Sequence, residues 1–330
     1  MNCIICAGEK FSPIRKLFDD RYGFPIEYDL MRCNQCGHLS TFPLLLDSDL
    51  SDLYENFYPR KKISSKDIAR EAENIRSPFG SLYKWLMGTN NEGQYSVKPE
   101  DVLLDIGCGA GKSLCEARLL KAIPYGIEAD PNVRKIADEL GVQVHIGQLA
   151  DNPFPSVKFD LIILNQVIEH LPNPARTLEK MKSRLSNRGR AILVFPNTKS
   201  IWKRVSGDRW INWHIPYHQH HFEIRSFEKL ANQCGYDVVN FRTITPNVWS
   251  FLQLASLFTN PRLGERSRLW NHQINIQPQA YVSKSNLGCK QLLKKTAKFF
   301  IYIPITIFNR VIDQMRLGDS IVIEIKPKPR

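Results

Sequence analysis

The chain has 330 residues, of which 43% are hydrophobic and 24% charged, with a net charge of +12 and a pI of about 9.3. That is an ordinary globular balance, long enough to bury a large core in one to three domains, and no segment reaches the ~20 apolar residues of a spanning helix. The basic excess favours anionic partners such as nucleic acid, acidic lipid or phosphorylated substrates without choosing among them.

Met1 to Cys6 lacks a basic region followed by a long apolar run, so no secretory signal is expected. The eight cysteines then fit a reducing cytoplasm. Cys3-x-x-Cys6 and Cys33-x-x-Cys36 are two knuckles at the spacing that folds four thiolates around one tetrahedral Zn²⁺. Gly8 and Gly37 suit the turns, and a hairpin with its tip near Arg21 to Pro25 connects the pairs. A disulfide or redox role is the alternative, disfavoured by spacing and compartment together. A closed Cys₄ site has no open coordination position, so it is structural. Residues 1–45 therefore read as a zinc-ribbon-like domain, with His38 superfluous as a ligand. Cys108, Cys115, Cys234 and Cys289 are scattered and read as ordinary buried thiols.

Residues 46–98 read as a helical linker or lid. Leu50, Leu53, Tyr54 and Phe57 fall at helical spacing, and a second helix is expected from Lys66 to Ile75. At Val102-Leu103-Leu104 a buried strand begins and runs into Asp105-Ile-Gly107-Cys-Gly109-Ala-Gly111, with a helix from Lys112. Glycines permit positive φ and close ligand approach, and the helix behind them offers unpaired N–H groups. A dinucleotide site would need G-x-G-x-x-G, but Lys112 stands at the third glycine's place. Asp105 at the strand end would repel a pyrophosphate and suits a cationic ligand.

Further strands are expected at Tyr125 to Glu128, Val142 to Ile146, Phe159 to Leu164, and Leu185 to Val194. A helix is expected from Pro174 to Leu185, and another from Phe227 to Cys234 capped by Ser226. Tyr236 to Phe241 reads as a sixth strand and Ser320 to Lys326 as a seventh, with residues 246–318 inserted between them. Lys290, Lys294, Lys295 and Lys298 precede the apolar run Phe299 to Phe308. Residues 290–316 read as a core helix, with contact at an anionic membrane surface as the alternative.

The glycine loop, Tyr-Gly-Ile-Glu128, Gly147-Gln148-Leu149 and the block Phe159-Asp-Leu-Ile-Ile-Leu-Asn165-Gln-Val-Ile-Glu169-His170-Leu171 come in order. Over roughly 100–195 this resembles the class I S-adenosylmethionine-dependent methyltransferases of small-molecule type. The resemblance implies an α/β, Rossmann-like fold: a seven-stranded, mostly parallel sheet with an antiparallel last strand, in a domain over 99–330. It implies S-adenosyl-L-methionine as cofactor, held by Asp105, Gly107, Gly109, Gly111, Glu128 (ribose), Gln148 and Leu149 (adenine), and Asn165. A zinc ribbon ahead of such a core, by its domain order and cysteine pairs, further resembles enzymes of sugar and cell-surface polysaccharide pathways. The acceptor is then a sugar, sugar nucleotide or lipid-linked glycan, anionic or membrane-borne, handled in the cytoplasm or at the inner membrane face.

Four of the eight histidines fall within His214 to His221. Pro216-Tyr217-His218-Gln219-His220-His221-Phe222 resembles the PRHxxHF block of the family, with Tyr217 in place of arginine. His218 and His221 match it and are the candidate bases or acceptor-orienting residues, because histidine is the usual base near neutral pH. Packing and capping are the bland alternative, also for Glu169 and His170. A nucleic-acid methyltransferase is the runner-up, disfavoured because Asn165-Gln-Val-Ile168 replaces the Asn/Asp-Pro-Pro-aromatic motif. A non-enzymatic zinc-ribbon interaction protein is the third reading.

Overall fold

The computed structural model describes residues 2–58, 64–77, 79–90, 96–271 and 289–329, and their side chains except at 47, 51, 271 and 289–301. The chain opens with β1 (Phe11–Phe18), β2 (Glu27–Cys33) and β3 (Leu39–Phe42), antiparallel in that order. Three helices follow: α1 (Asp47–Asn56), α2 (Ser65–Ala72) and α3 (Gly80–Met87). The third falls within the segment 46–98 read as helical, without bounds of its own in that reading.

The core then alternates β4 (Val102–Ile106), α4 (Lys112–Leu119), β5 (Ile123–Glu128), α5 (Val133–Leu140), β6 (Gln143–Ile146), β7 (Phe159–Asn165), α6 (Pro174–Arg184) and β8 (Leu185–Pro196). After β8 come α7 (Ile201–Ser206), β9 (His220–His221), α8 (Ile224–Gln233) and β10 (Tyr236–Ile244). The insertion carries α9 (Asn247–Leu257), α10 (Arg268–Asn271) and α11 (Cys289–Gln314), and β11 (Ser320–Pro327) closes the sheet.

The main sheet has the order β10-β11-β8-β7-β4-β5-β6. β11 runs antiparallel to both neighbours, β10 and β8, and the β4–β8 pairings are parallel. Its faces divide by the two-residue period of a strand. Leu104, Ile106, Ile162, Leu164 and Leu193 face one core, while Leu103, Leu161, Ile163, Ile192 and Val194 face the other. Each such side chain stabilises by about 1.5–3 kcal/mol when fully buried. Two-sided burial is why these strands read as continuous apolar runs.

One expectation needs correction. The helix after β9 begins at Ile224, not Phe227, and Glu223 is its N-cap. Ser226 sits three residues in, where its hydroxyl accepts from the Glu223 amide at 3.1 Å. The ribbon sheet takes a fourth strand from beyond residues 1–45. β9 pairs antiparallel with β3, Ser40 opposite His220 and Leu39 opposite His221. Cys3, Ile5 and Cys33 pack into the same core as Phe195, Phe222 and Phe227.

In the insertion, residues 290–314 lie within one helix, α11. The lysines at 290–298, the start of the apolar run and Cys289 have side chains outside those described. Beyond them Ile303, Ile307, Phe308, Val311 and Met315 are exposed, whereas Asn309, Arg310 and Ile312 are buried. Among the described residues no helix is long and apolar enough to cross a membrane.

Candidate functional site

The turn after β4 is held by its glycines. Gly107 has φ +75°, and a Cβ there would meet Val167 Cγ2 at 2.5 Å. Gly109 has φ +52°, and a Cβ there would meet nothing within 4 Å, so that part of the loop faces open space. Gly111, also left-handed, immediately precedes α4. Asp105, one residue before the end of β4, is buried and accepts from the Ser113 hydroxyl, which ties the strand end to the first turn of α4. Glu128 ends β5. One of its oxygens accepts from the Gly109 amide at 2.8 Å and the other from the Asp130 amide at 3.0 Å. The carboxylate therefore lies against the loop. Gln148 is exposed, and its amide donates to Asp151 at 2.7 Å; Leu149 packs on the core behind it. Asn165 is the last residue of β7. These positions come from the C-terminal ends of β4, β5, β6 and β7, the edge where open α/β sheets bind ligands.

Val167 links this edge to a second cluster. Two residues on, Glu169 is 1% exposed and neither carboxyl oxygen has a hydrogen-bond partner among the described residues. Burial pushes its carboxyl up to about 8. His170 follows, lowered to about 4, chiefly by burial. Its Nδ1 lies 3.0 Å from the Tyr217 carbonyl and 2.9 Å from the Tyr54 hydroxyl, so α1 roofs this cluster. The Glu169 carbonyl accepts the amides of Gln219 and His220 at 2.8 and 3.1 Å, which docks the histidine-rich segment beside it.

The two candidate histidines have different surroundings. His218 is buried, and its Nε2 stands 4.0 Å from Glu169 Oε1. His221 is tied to the ribbon: its Nε2 lies 3.0 Å from Thr41 Oγ1, and its ring packs edge-on against Trp213. Burial depresses both. His214 and Tyr217 stack on each other beside His218. His220 lies 3.4 Å from His38 of the ribbon.

Arg21, in the loop joining β1 and β2, is a functional candidate that the sequence does not reveal. It is buried, stacks over Trp270, and donates to the Ile211 carbonyl. Its charge is close enough to help depress His170, His214 and His218. The ribbon thus supplies a cation near the place where Tyr217 replaces the expected arginine. Tyr22, Tyr54 and Tyr58 pack against Tyr217, forming an aromatic wall drawn from the ribbon and α1.

The four N-terminal cysteines converge. Cys3 and Cys36 have their sulfurs 3.5 Å apart, as do Cys6 and Cys33, and all four lie within 4.8 Å of one another. Lys84 of α3 reaches the buried Glu116 of α4 at 2.7 Å, fastening the helical segment onto the helix behind the glycine loop.

A family model described as a methyltransferase domain matches residues 72–240. An uncharacterized protein of Methanocaldococcus jannaschii is 31% identical over 90 residues, covering 27% of this chain and 42% of its own length. A "Probable S-adenosylmethionine-dependent methyltransferase" of Mycobacterium tuberculosis is 29% identical over 138 residues, covering 41% and 48%. A ubiquinone biosynthesis O-methyltransferase of Glaesserella parasuis is 27% identical over 169 residues, covering 44% and 72%. The chain thus spans less than half the length of the first two. Among solved structures, a TehB-like SAM-dependent methyltransferase of Corynebacterium glutamicum aligns with 80% of this chain and 98% of its own, at 14% identity and TM-score 0.39.

Proposed function

The chain belongs to the methyltransferase-domain family over residues 72–240, and from that membership we propose that it transfers a methyl group from S-adenosylmethionine to a small molecule. The observation that carries the reading is the Glu128 carboxylate held against an open glycine turn at the strand ends. The residues fit the cofactor. A carboxylate at the tip of the second core strand can accept two ribose hydroxyls, and the space at Gly109 admits a ligand against the backbone. Asp105 and Glu128 give the edge a negative potential suited to a sulfonium. When bound, the cofactor supplies an electrophilic methyl group. The protein's part is to align an acceptor with it and exclude water. Tyr54, Tyr217 and His214 wall the region next to Glu169 and His218, the polar groups buried beside the proposed acceptor space.

The acceptor we infer is a sugar, sugar nucleotide or lipid-linked glycan of a cell-surface polysaccharide pathway. Arg21 supports an anionic group on it. Exposed apolar side chains on α11 and at the edges of α3 and α9, among them Phe79, Phe258 and Ile307, support a membrane-borne form. Cosedimentation with anionic vesicles tests that form; a protein that stays in the supernatant would remove it. The ribbon we infer to hold one structural Zn²⁺. A Zn–S bond of about 2.3 Å places tetrahedral sulfurs ~3.8 Å apart, which the cysteine spacing fits.

Calorimetric titration with S-adenosylmethionine, S-adenosylhomocysteine and NAD, on wild type and Glu128→Ala, tests the function. Binding of the two sulfur nucleosides but not NAD, weakened in the variant, is expected. A folded wild type that binds neither would overturn the methyltransferase reading and favour the interaction-protein reading.

A further inference from the structure

One nitrogen each of His170 and His218 and one oxygen of Glu169 lie within 4.8 Å of one another. The surrounding hydrogen bonds fix which nitrogens are protonated. His218 Nδ1 is 2.9 Å from the Asn212 carbonyl, and His170 Nδ1 is 3.0 Å from the Tyr217 carbonyl. A carbonyl only accepts, so each Nδ1 carries the hydrogen and each Nε2 keeps its lone pair. At 4.0 Å, His218 Nε2 and Glu169 Oε1 are beyond hydrogen-bond reach, and neither Glu169 oxygen has another partner. The centre therefore presents two imidazole lone pairs beside a carboxyl group with no hydrogen-bond partner among the described residues, and no member donates to another. A buried polar group left unpaired this way costs stability. An imidazole whose Nδ1–H rests on a backbone carbonyl is also the outer-shell arrangement found around bound metals.

We propose that Glu169, His170 and His218 bind one divalent transition-metal ion, distinct from the ion of the cysteine site. Two imidazoles and one carboxylate form a donor set for first-row metals and leave coordination positions open. Beyond binding, the site has a role that rests on the methyl-transfer reading. Val167 packs against Gly107, so the turn bearing Glu169 adjoins the glycine loop. One carboxylate and a dication leave a net positive charge, and Arg21 adds to it. Such a centre selects an acceptor with an ionisable oxygen and lowers that oxygen's pKa. The acceptor's O–H proton passes to water. The oxygen's electron pair forms the new O–CH₃ bond, and the C–S bond breaks with its pair returning to sulfur, which becomes neutral. The acceptor class is thus an alcohol or phenol, methylated on oxygen.

The test counts metal on the full chain. Chelated protein is reloaded with Zn²⁺ or Co²⁺, and tightly bound metal per chain is measured for wild type and Glu169→Gln. Two ions are expected in the wild type and one in the variant, with affinity at the second site weakened at least 100-fold. With Co²⁺, the cysteine site shows thiolate charge-transfer absorption, and the second site adds only weak d–d bands. Glutamine has the same shape and carries no charge into the buried site, so the metal-free variant should melt at or above metal-free wild type. One ion per wild-type chain, with no rise in Tm beyond the first equivalent, would overturn the proposal. S-adenosylhomocysteine titration of the same samples separates the two readings: two ions without nucleoside binding would sink the O-methylation role and keep the metal site.

Discussion

Replacing Cys33 and Cys36 with serine should loosen the histidine segment while leaving the cofactor edge intact. β3 and the turn after it hold residues 218–221 through four hydrogen bonds beyond the β3–β9 ladder. The Thr41 amide donates to the Gln219 carbonyl at 3.0 Å, and the Thr41 hydroxyl to the His218 carbonyl at 2.6 Å. His221 Nε2 donates to Thr41 Oγ1 at 3.0 Å, and the Leu45 amide to Gln219 Oε1 at 2.8 Å. At about 0.5–1.5 kcal/mol each, these contribute about 2–6 kcal/mol to the placement of that segment. If the knuckles lose their ion and β3 frays, the ordered segment loses a factor of about 30 to 10⁴ in population. Amide hydrogen exchange over residues 214–222, with S-adenosylhomocysteine titration alongside, reads both halves. Faster exchange there by at least tenfold, with cofactor Kd changed less than about threefold, is expected. Unchanged protection of 218–221 in a variant shown to lack the ion would refute the clasp, as would a cofactor loss larger than the exchange effect.

Glu128→Ala removes an acceptor of two amide bonds and, on the proposed reading, of two ribose hydroxyls. Cofactor Kd should rise by about two to four orders of magnitude, from two charged hydrogen bonds worth about 1.5–3 kcal/mol each, and an unchanged calorimetric Kd would exclude the role. Two alanine substitutions in the glycine turn should behave differently. Gly107→Ala drives a methyl into Val167 and should destabilise by about 1–3 kcal/mol in a denaturant titration. Gly109→Ala meets open space, so it should keep most of its stability and lose cofactor affinity; equal stability losses in both would contradict the geometry. A pH series addresses Asp319, which burial raises to about 6 despite bonds from Trp210 and Asn212. A raised carboxyl gives stability that is present below its unfolded value near 3.8 and lost as pH rises through 6. Between pH 4 and 7.5, Asp319→Asn should therefore gain on wild type by about 3 kcal/mol in urea; a constant difference would rule this out.

The core strands are legible because two-sided burial writes them as apolar runs, and the turn at Gly107 to Gly111 punctuates them. The same signal places the sixth and seventh strands, across the whole insertion. What escapes is long-range or too short to carry a period. β9 has two residues, so nothing in His220-His221 reveals that it completes the ribbon sheet. His218 and His221 look equivalent in sequence. Only the fold of the segment after β8 turns one toward Glu169 and the other toward Thr41. Glu169-His170 is visible as a motif, but its meeting with His218 depends on backbone bonds from Gln219 and His220 to the Glu169 carbonyl. Arg21 reads as part of a hairpin tip, the place where a charged side chain is usually solvated.

The position of β11 has a consequence for synthesis on the ribosome. β8 and β10 are joined edge to edge only by residues 320–327, so the sheet keeps an open seam while the intervening insertion is translated. At about 5–20 residues per second, the stretch from β10 to the end of β11 takes roughly 4–17 s. During that interval the unpaired backbone of Ile192 and Val194 is a template for another chain. A nascent-chain holdase would cover the seam, and slow codons placed before rather than after β10 would shorten the exposure.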